Sequence, residues 1–225
     1  MTTGRPRGAA GGVDAPGAAP YVPDHPTLES LRSAAQNCRG CELYRDATQA
    51  VVGEGPTDAK VMLVGEQPGD KEDLAGKPFV GPAGQLLVKA LDAAGMPREA
   101  VFRTNVVKHF RFSEVRGEQR IHKSPDLVHM IACMPWLTAE LSLVAPQGVV
   151  LLGATAGKAI LGRSFKVTQG RGQLLPWPAD ISGAERLPDW LLATTHPSAV
   201  LRSREREAAF DGLVSDLKVA VAALS

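Results

Sequence analysis

Cys38 and Cys41 form a C-x2-C pair, a spacing that lets two thiolates reach one metal centre from a single turn. Cys133, far along the chain, is the third and last cysteine. A tetrahedral zinc or an iron–sulfur cubane takes four ligands, so three thiols call for one more. Among five histidines the best fourth candidate is His109, which follows the β-rich run Val101–Val107 with 23 residues between it and Cys133. The competing reading is three buried cysteines acting as small hydrophobes. A C-x2-C pair in a loop weighs against it, although spacing alone leaves zinc and iron–sulfur unresolved.

A second chemistry-bearing segment is GEQPGDKEDLAGKPFVGPAG, which starts at Gly65. Long loops at strand ends are usually functional. Glu66 and Gln67 sit where a strand ends, and Phe79 is an aromatic in a loop otherwise poor in apolar groups. Glu72 and Asp73 read as a solvated acidic face. Further on, Arg103, Lys108, Arg111, Arg116, Arg120 and Lys123 oppose only Glu114 and Glu118, a local +4 in a chain of net charge +1. Arg202, Arg204 and Arg206 make a second basic knot. Two such clusters fit phosphate contacts, the main source of nucleic-acid affinity. GATAGKA at Gly153–Ala159 is no phosphate loop, because three residues separate its glycines and Ala159 follows Lys158.

The elements that must position these groups alternate. Val61–Val64, Val101–Val107, Val149–Leu152 and Trp190–Thr195 read as buried strands. Helices are expected at Leu28–Gln36 behind the N-cap Thr27, at Gly84–Ala94, from Ser124-Pro125 to Val144, at Ala154–Leu161 and at Ala208–Ala223. The pattern predicts a three-layer α/β/α sandwich around a central four-stranded, mostly parallel sheet. In such sheets the site lies beyond the C-terminal ends of the strands. That directs attention to the segments after Gly65, Asn105, Gly153 and Thr195.

Residues 1–26 hold five Gly, five Pro and five Ala without apolar periodicity, so they read as a disordered tail. Residues 27–225 read as a single domain. A hydrophobic content of 44% with 22% charged residues excludes wholesale disorder, collagen and coiled coil. No apolar run approaches the roughly 20 residues of a membrane helix, and no signal-peptide core is visible. A cytoplasmic location, no membrane partner and a monomer are expected.

At GEQPGDKEDLAGKPFVGPAG, TNVVKHF and THPSAVLR the sequence resembles the uracil-DNA glycosylase superfamily, over about Leu28 to Ala223. The likeness is to the iron–sulfur, family-four-like branch, with its GE-x-PG, G-x-PFVG-x-AG and HPS-x-x-x-R patterns. Two features resemble the UdgX class within it. His109 stands where the family-four pattern has a cysteine, and RIHKSP is similar to an R-loop of usual form KRRIH. Here Glu118 and Gln119 replace the first two basic residues of that loop.

The resemblance implies a 4Fe–4S cluster on Cys38, Cys41, His109 and Cys133, with a mainly structural role. It implies excision of uracil from single- or double-stranded DNA, with the protein remaining joined to the abasic sugar through His122. Glu66 would orient His122 or take its proton. Phe79 would stack on the base, Asn105 would read uracil against cytosine, and His196 would stabilise the leaving anion. Gln67 and Asp70 complete the implied base pocket. Lys108, Arg120, Lys123, Ser198 and Arg202 are the expected phosphate holders. Two other readings stay open: a turnover hydrolase in which His122 only binds phosphate, and a metal-stabilised nucleic-acid binding protein without catalysis.

Overall fold

The computed structural model describes residues 14–117, 119–178, 181 and 186–224. Thr27 opens helix α1 (Leu28–Ala35) with a capping box, its hydroxyl accepting the Ser30 amide. The remaining elements, in chain order, are β1 (Val61–Gly65), α2 (Asp70–Ala75), α3 (Pro82–Ala94) and β2 (Val101–Asn105). The hairpin strands β3 (Phe112–Arg116) and β4 (Gln119–His122) follow, then α4 (Leu127–Val144), β5 (Gly148–Leu152) and α5 (Gly153–Leu161). The chain closes with α6 (Val167–Gly170), β6 (Leu174–Leu175), β7 (Trp190–Thr194), α7 (Pro197–Arg202) and α8 (Arg206–Ala222).

The central sheet runs β2-β1-β5-β7-β6, with the first four strands parallel. It exceeds the expected four strands by the two-residue β6, antiparallel at one edge. Alternate residues of each strand point to opposite faces, and the two faces carry separate cores. Met62, Val64, Val149 and Leu151 pack toward α1, α4 and α5, around Leu31, Trp136 and Ile160. Val61, Leu63, Val150 and Leu152 pack toward α3 and α8, around Leu87, Leu91, Leu213 and Leu217. This is the α/β/α sandwich that the strand–helix alternation predicted.

Several local expectations change. Residues 1–13 lie outside the described residues, but residues 14–26 are not a free tail. Ala18 is buried, its amide donates to Ala132 of α4 and the Gly17 amide donates to Gly40, so this segment straps the cysteine loop to the helix. Gly17 takes φ 104°, a conformation that glycine adopts freely, and Gly40 has no room for a Cβ against the Ala18 main chain. The segment 66–81 contains α2. The predicted start of α4 moves from Ser124-Pro125 to the N-cap Asp126, whose amide donates to His129 Nδ1. By length and composition α4 could pass for a membrane span, but Trp136, Leu137 and Leu141 are buried in the core.

Candidate active site

A cavity of about 640 Å³ opens at the C-terminal ends of β1, β2, β5 and β7. It is lined by Glu66 and Gln67 after β1, Asn105 at the end of β2, Gly153 at the start of α5 and His196 after β7. Phe79, His122, Ser198 and Arg202 complete the part of the wall that bears on chemistry. Parallel strands end in step here, with Gly65 level with Asn105, so residues distant in sequence converge on one rim.

Phe79 and Asn105 are built in from behind. Phe79 is buried in the left-handed region at φ 58°, a cost that persists only where the surroundings fix it. Gly84 of α3 lies so close to the Phe79 main chain that no Cβ fits. A Cβ at Gly65 would likewise collide with Asn105 Oδ1 and lie 2.8 Å from Phe79 Cζ. Glycine at both positions lets the aromatic ring and the amide approach the strand end.

His196 caps α7, and its Nδ1 accepts the Ser198 amide at 3.1 Å. An amide can only donate, so the neutral ring carries its proton on Nε2. The Ser198 hydroxyl also lies 2.8 Å from Nδ1. Burial pushes the imidazole pKa down to about 4, with nearby His122 and Arg202 adding to the shift.

His122 ends β4 with its side chain 48% exposed, and its Nε2 lies 3.5 Å from Glu66 Oε1. That carboxylate oxygen is buried and has no hydrogen-bond partner among the described residues. Desolvation lowers the His122 pKa below the ordinary histidine value; Glu66 opposes the shift and Arg202 adds to it. The site therefore holds a neutral, reachable imidazole beside an unsatisfied carboxylate.

The hairpin carrying His122 is tied down at both ends. Gln67 Nε2 donates to the carbonyls of Arg111 and Lys123, and Gln67 Oε1 accepts the Arg111 amide. Arg120 Nε donates to Asp70 Oδ1 at 2.5 Å and its Nη1 to Asp73 Oδ2 at 2.7 Å. Its guanidinium also lies over the rings of Phe110 and Phe112.

Several sequence expectations are thereby corrected. Arg120 is no phosphate holder, because two carboxylates of α2 already neutralise it. Asp70 is its partner rather than a wall of the base pocket. Asp73 is fully buried, and Glu72 accepts the Gly81 amide inside the cavity wall, so neither belongs to a solvated acidic face. Ser198 turns its hydroxyl to His196. Gln67 lines the cavity, but its side chain holds the hairpin. Glu118 and the side chain of Gln119 lie outside the described residues.

Lys108 is the largest correction. Its side chain is 1% exposed and ion-paired to Glu140 of α4 at 2.8 Å, so it cannot reach a phosphate. The basic stretch as a whole is mostly compensated internally. Arg103 pairs with Glu54, Arg111 with Asp126 and Arg116 with Glu114. Lys123 alone of that stretch is exposed and in no ion pair among the described residues, and Arg202, Arg204 and Arg206 of the second basic knot are likewise exposed and unpaired among them.

On the other face of the sheet, Cys38, Cys41, Cys133 and His109 are all buried. Cys38 Sγ accepts from Trp136 Nε1 at 3.3 Å and from the Gly40 amide at 3.5 Å, and Cys133 Sγ accepts from the Lys108 amide at 3.3 Å. Burial pushes the Cys41 thiol up to about 11, with Glu42, Cys38 and Asp14 adding to the shift, and Cys133 to about 12, with Lys108 opposing and Cys41 and Cys38 adding. Burial also pushes His109 down to about 4, leaving the neutral form that ligates metal. Among the described residues no three Cys, His, Asp or Glu side chains converge on one ion. Three thiols and a neutral imidazole are donors that a cubane cluster, with one protein ligand on each iron, can take. N–H donors aimed at sulfur also suit an iron–sulfur cluster, whose potential such bonds tune. The donor set fits the cluster.

No motif or spacing in the sequence marks Glu140, which lies mid-helix in α4. A profile of the uracil DNA glycosylase superfamily matches residues 52–218. The type-4 uracil-DNA glycosylase of Thermotoga maritima is 35% identical over 181 residues, covering 80% of this chain and 86% of that protein. The type-4 enzyme of Pyrobaculum aerophilum is 36% identical over 179 residues, covering 78% and 85%. A type-5 uracil-DNA glycosylase of the same organism is 32% identical over 143 residues, covering 60% and 63%. The match spans the strand-end motifs from Gly65 to Arg202, and the chain belongs to the uracil-DNA glycosylase superfamily.

Proposed function

We propose that this protein excises uracil from DNA and is captured by the abasic sugar through His122. The observation that carries the second step is the neutral, half-exposed His122 ring 3.5 Å from Glu66 Oε1, which is buried and has no hydrogen-bond partner among the described residues.

A uracil in a duplex must leave the stack to be reached, at a cost of a few kcal/mol. Stacking on Phe79 offsets part of it, by about 1–3 kcal/mol. Asn105 donates its amide N–H to O4 and accepts from N3–H. Cytosine offers the reversed pattern and leaves both groups unpaired, a penalty of orders of magnitude. His196 donates Nε2–H to O2, where negative charge grows as the bond breaks.

In the chemical step the C1′–N1 bond breaks and its electron pair leaves on the uracil anion. The sugar becomes oxocarbenium-like and electron-poor at C1′. The unprotonated ring nitrogen of His122 supplies the electron pair of the new C1′–N bond. The ring's remaining N–H proton then passes to Glu66, leaving a neutral, stable adduct. Arg202 and Lys123 contact phosphate. Cys38, Cys41, His109 and Cys133 would hold a 4Fe–4S cluster whose role is to staple the N-terminal loop, the end of β2 and α4 together.

The type-4 names of the relatives fit a hydrolytic enzyme equally well, with Glu66 Oε1 holding a water in place of a proton. One experiment separates the readings. Purified protein is incubated with single-stranded DNA containing one uracil, boiled in SDS and run on a denaturing gel. A shifted protein–DNA band that disappears in His122→Ala supports capture. Free abasic DNA without a band overturns it and leaves the hydrolase. Neither uracil release nor adduct overturns the glycosylase reading.

A further inference from the structure

Lys108 and Glu140 are buried charges that the mechanism above does not use. All three donors of the ammonium are satisfied: Nζ donates to Glu140 Oε2 at 2.8 Å, to Thr104 Oγ1 at 2.8 Å and to the Asn105 carbonyl at 2.6 Å. Glu140 Oε2 also accepts the Thr104 hydroxyl at 2.7 Å, and Oε1 accepts the Gly53 amide at 2.8 Å. No polar atom of this hub is orphaned. Two buried charges are costly to desolvate, and an apolar pair of the same shape is often as stable or more so. Stability alone is therefore a weak reason for the hub.

Its location supplies a stronger one. The shortest bond from the ammonium goes to the main chain of Asn105, the residue that faces the base. A charged donor on that carbonyl fixes the peptide at the end of β2, where a shift of about an ångström in a reading group costs orders of magnitude. Lys108 is itself fixed, because its amide donates to Cys133 Sγ and its carbonyl accepts the Val51 amide. We infer that Lys108, held by Glu140 and Thr104, is a positioning residue that sets the preference for uracil over cytosine by fixing Asn105 from behind. The inference rests on the glycosylase reading of the cavity.

The test compares the parent with the double variant Lys108→Met/Glu140→Gln. This pair leaves no buried net charge, keeps an acceptor for Gly53 and removes the donor to the Asn105 carbonyl. The probes are two single-stranded oligonucleotides, one with 2′-fluoro-2′-deoxyuridine and one with its cytidine counterpart, whose sugars resist cleavage. Binding is read by fluorescence anisotropy, alongside melting temperature and visible absorbance. The expected result is a variant that melts within a few degrees of the parent and keeps its absorbance, while its uracil-over-cytosine preference falls at least about tenfold. A folded variant with its preference within about twofold of the parent overturns the role of Lys108. If the double variant does not fold, Thr104→Val removes only the hydroxyl that steadies Nζ. A fall of at least about threefold is then expected, and an unchanged ratio overturns the proposal. A parent without any preference overturns the base-reading role of Asn105 itself, a separate failure.

Discussion

Two polar clusters flank the end of β2, and they are built on opposite principles. Behind the strand, Lys108, Glu140 and Thr104 pair every donor with an acceptor, and the lysine and glutamate side chains are each 1% exposed. In front of it, Glu66 Oε1 lacks a partner, His122 is half exposed, and Arg202 enters no ion pair among the described residues. A satisfied buried network rigidifies, whereas an unsatisfied polar group at a cavity marks where a ligand is expected. The same residue types read alike in sequence, and completeness of pairing is what separates scaffold from site.

The comparison breaks most visibly at His122. His122→Ala is expected to abolish the SDS-stable adduct, by at least about a thousandfold, with little change in melting temperature. A surviving adduct assigns capture to another group. Asn105→Ala should lower kcat/KM for uracil-containing DNA by at least about a hundredfold, read by release of free uracil. A loss under about fivefold would remove Asn105 from base reading.

Behind the strand the expected effect is on folding. Lys108→Met alone strands the Glu140 charge and should cost about 3–5 kcal/mol in urea unfolding. Arg202→Ala should cost almost nothing in the same experiment. Equal stability losses would erase the distinction between the two clusters.

Acid sharpens the contrast further. With His196 near about 4, its ring stays neutral at pH 6.5, and desolvation holds His122 below its ordinary value. The adduct rate should fall with acid at a midpoint below the ordinary histidine value of about 6.5; a midpoint above about 7 contradicts the lowered values. Stability moves in the same sense. Unfolded His196 takes a proton near ~6.5 and the folded ring only near about 4, so the unfolded state binds more protons in that window and stability drops as pH falls through it.

The smallest expected effect is on salt. Arg202→Ala should reduce the salt slope of DNA binding by about one, whereas Arg116→Ala, already paired with Glu114, should leave it unchanged. Equal slopes for both variants would return the basic stretch to the DNA.

The strand-end motifs and the alternation of strands and helices were legible in sequence, because period and spacing are local. The short apolar runs at β1, β5 and β7 read as interior strands, and HPS after β7 fell where a parallel sheet presents its site. What stayed hidden is partnership. Residues 103–123 read as a basic surface, yet Arg103, Lys108, Arg111, Arg116 and Arg120 each meet a carboxylate, three of them distant in sequence. Asp73 read as solvated and is fully buried under Arg120. Residue type and order by themselves determined which chemistry this chain can do and at which end of the sheet. Only the tertiary structure decided which charges do it, because a charge is free or neutralised according to what the fold places within about 3 Å of it.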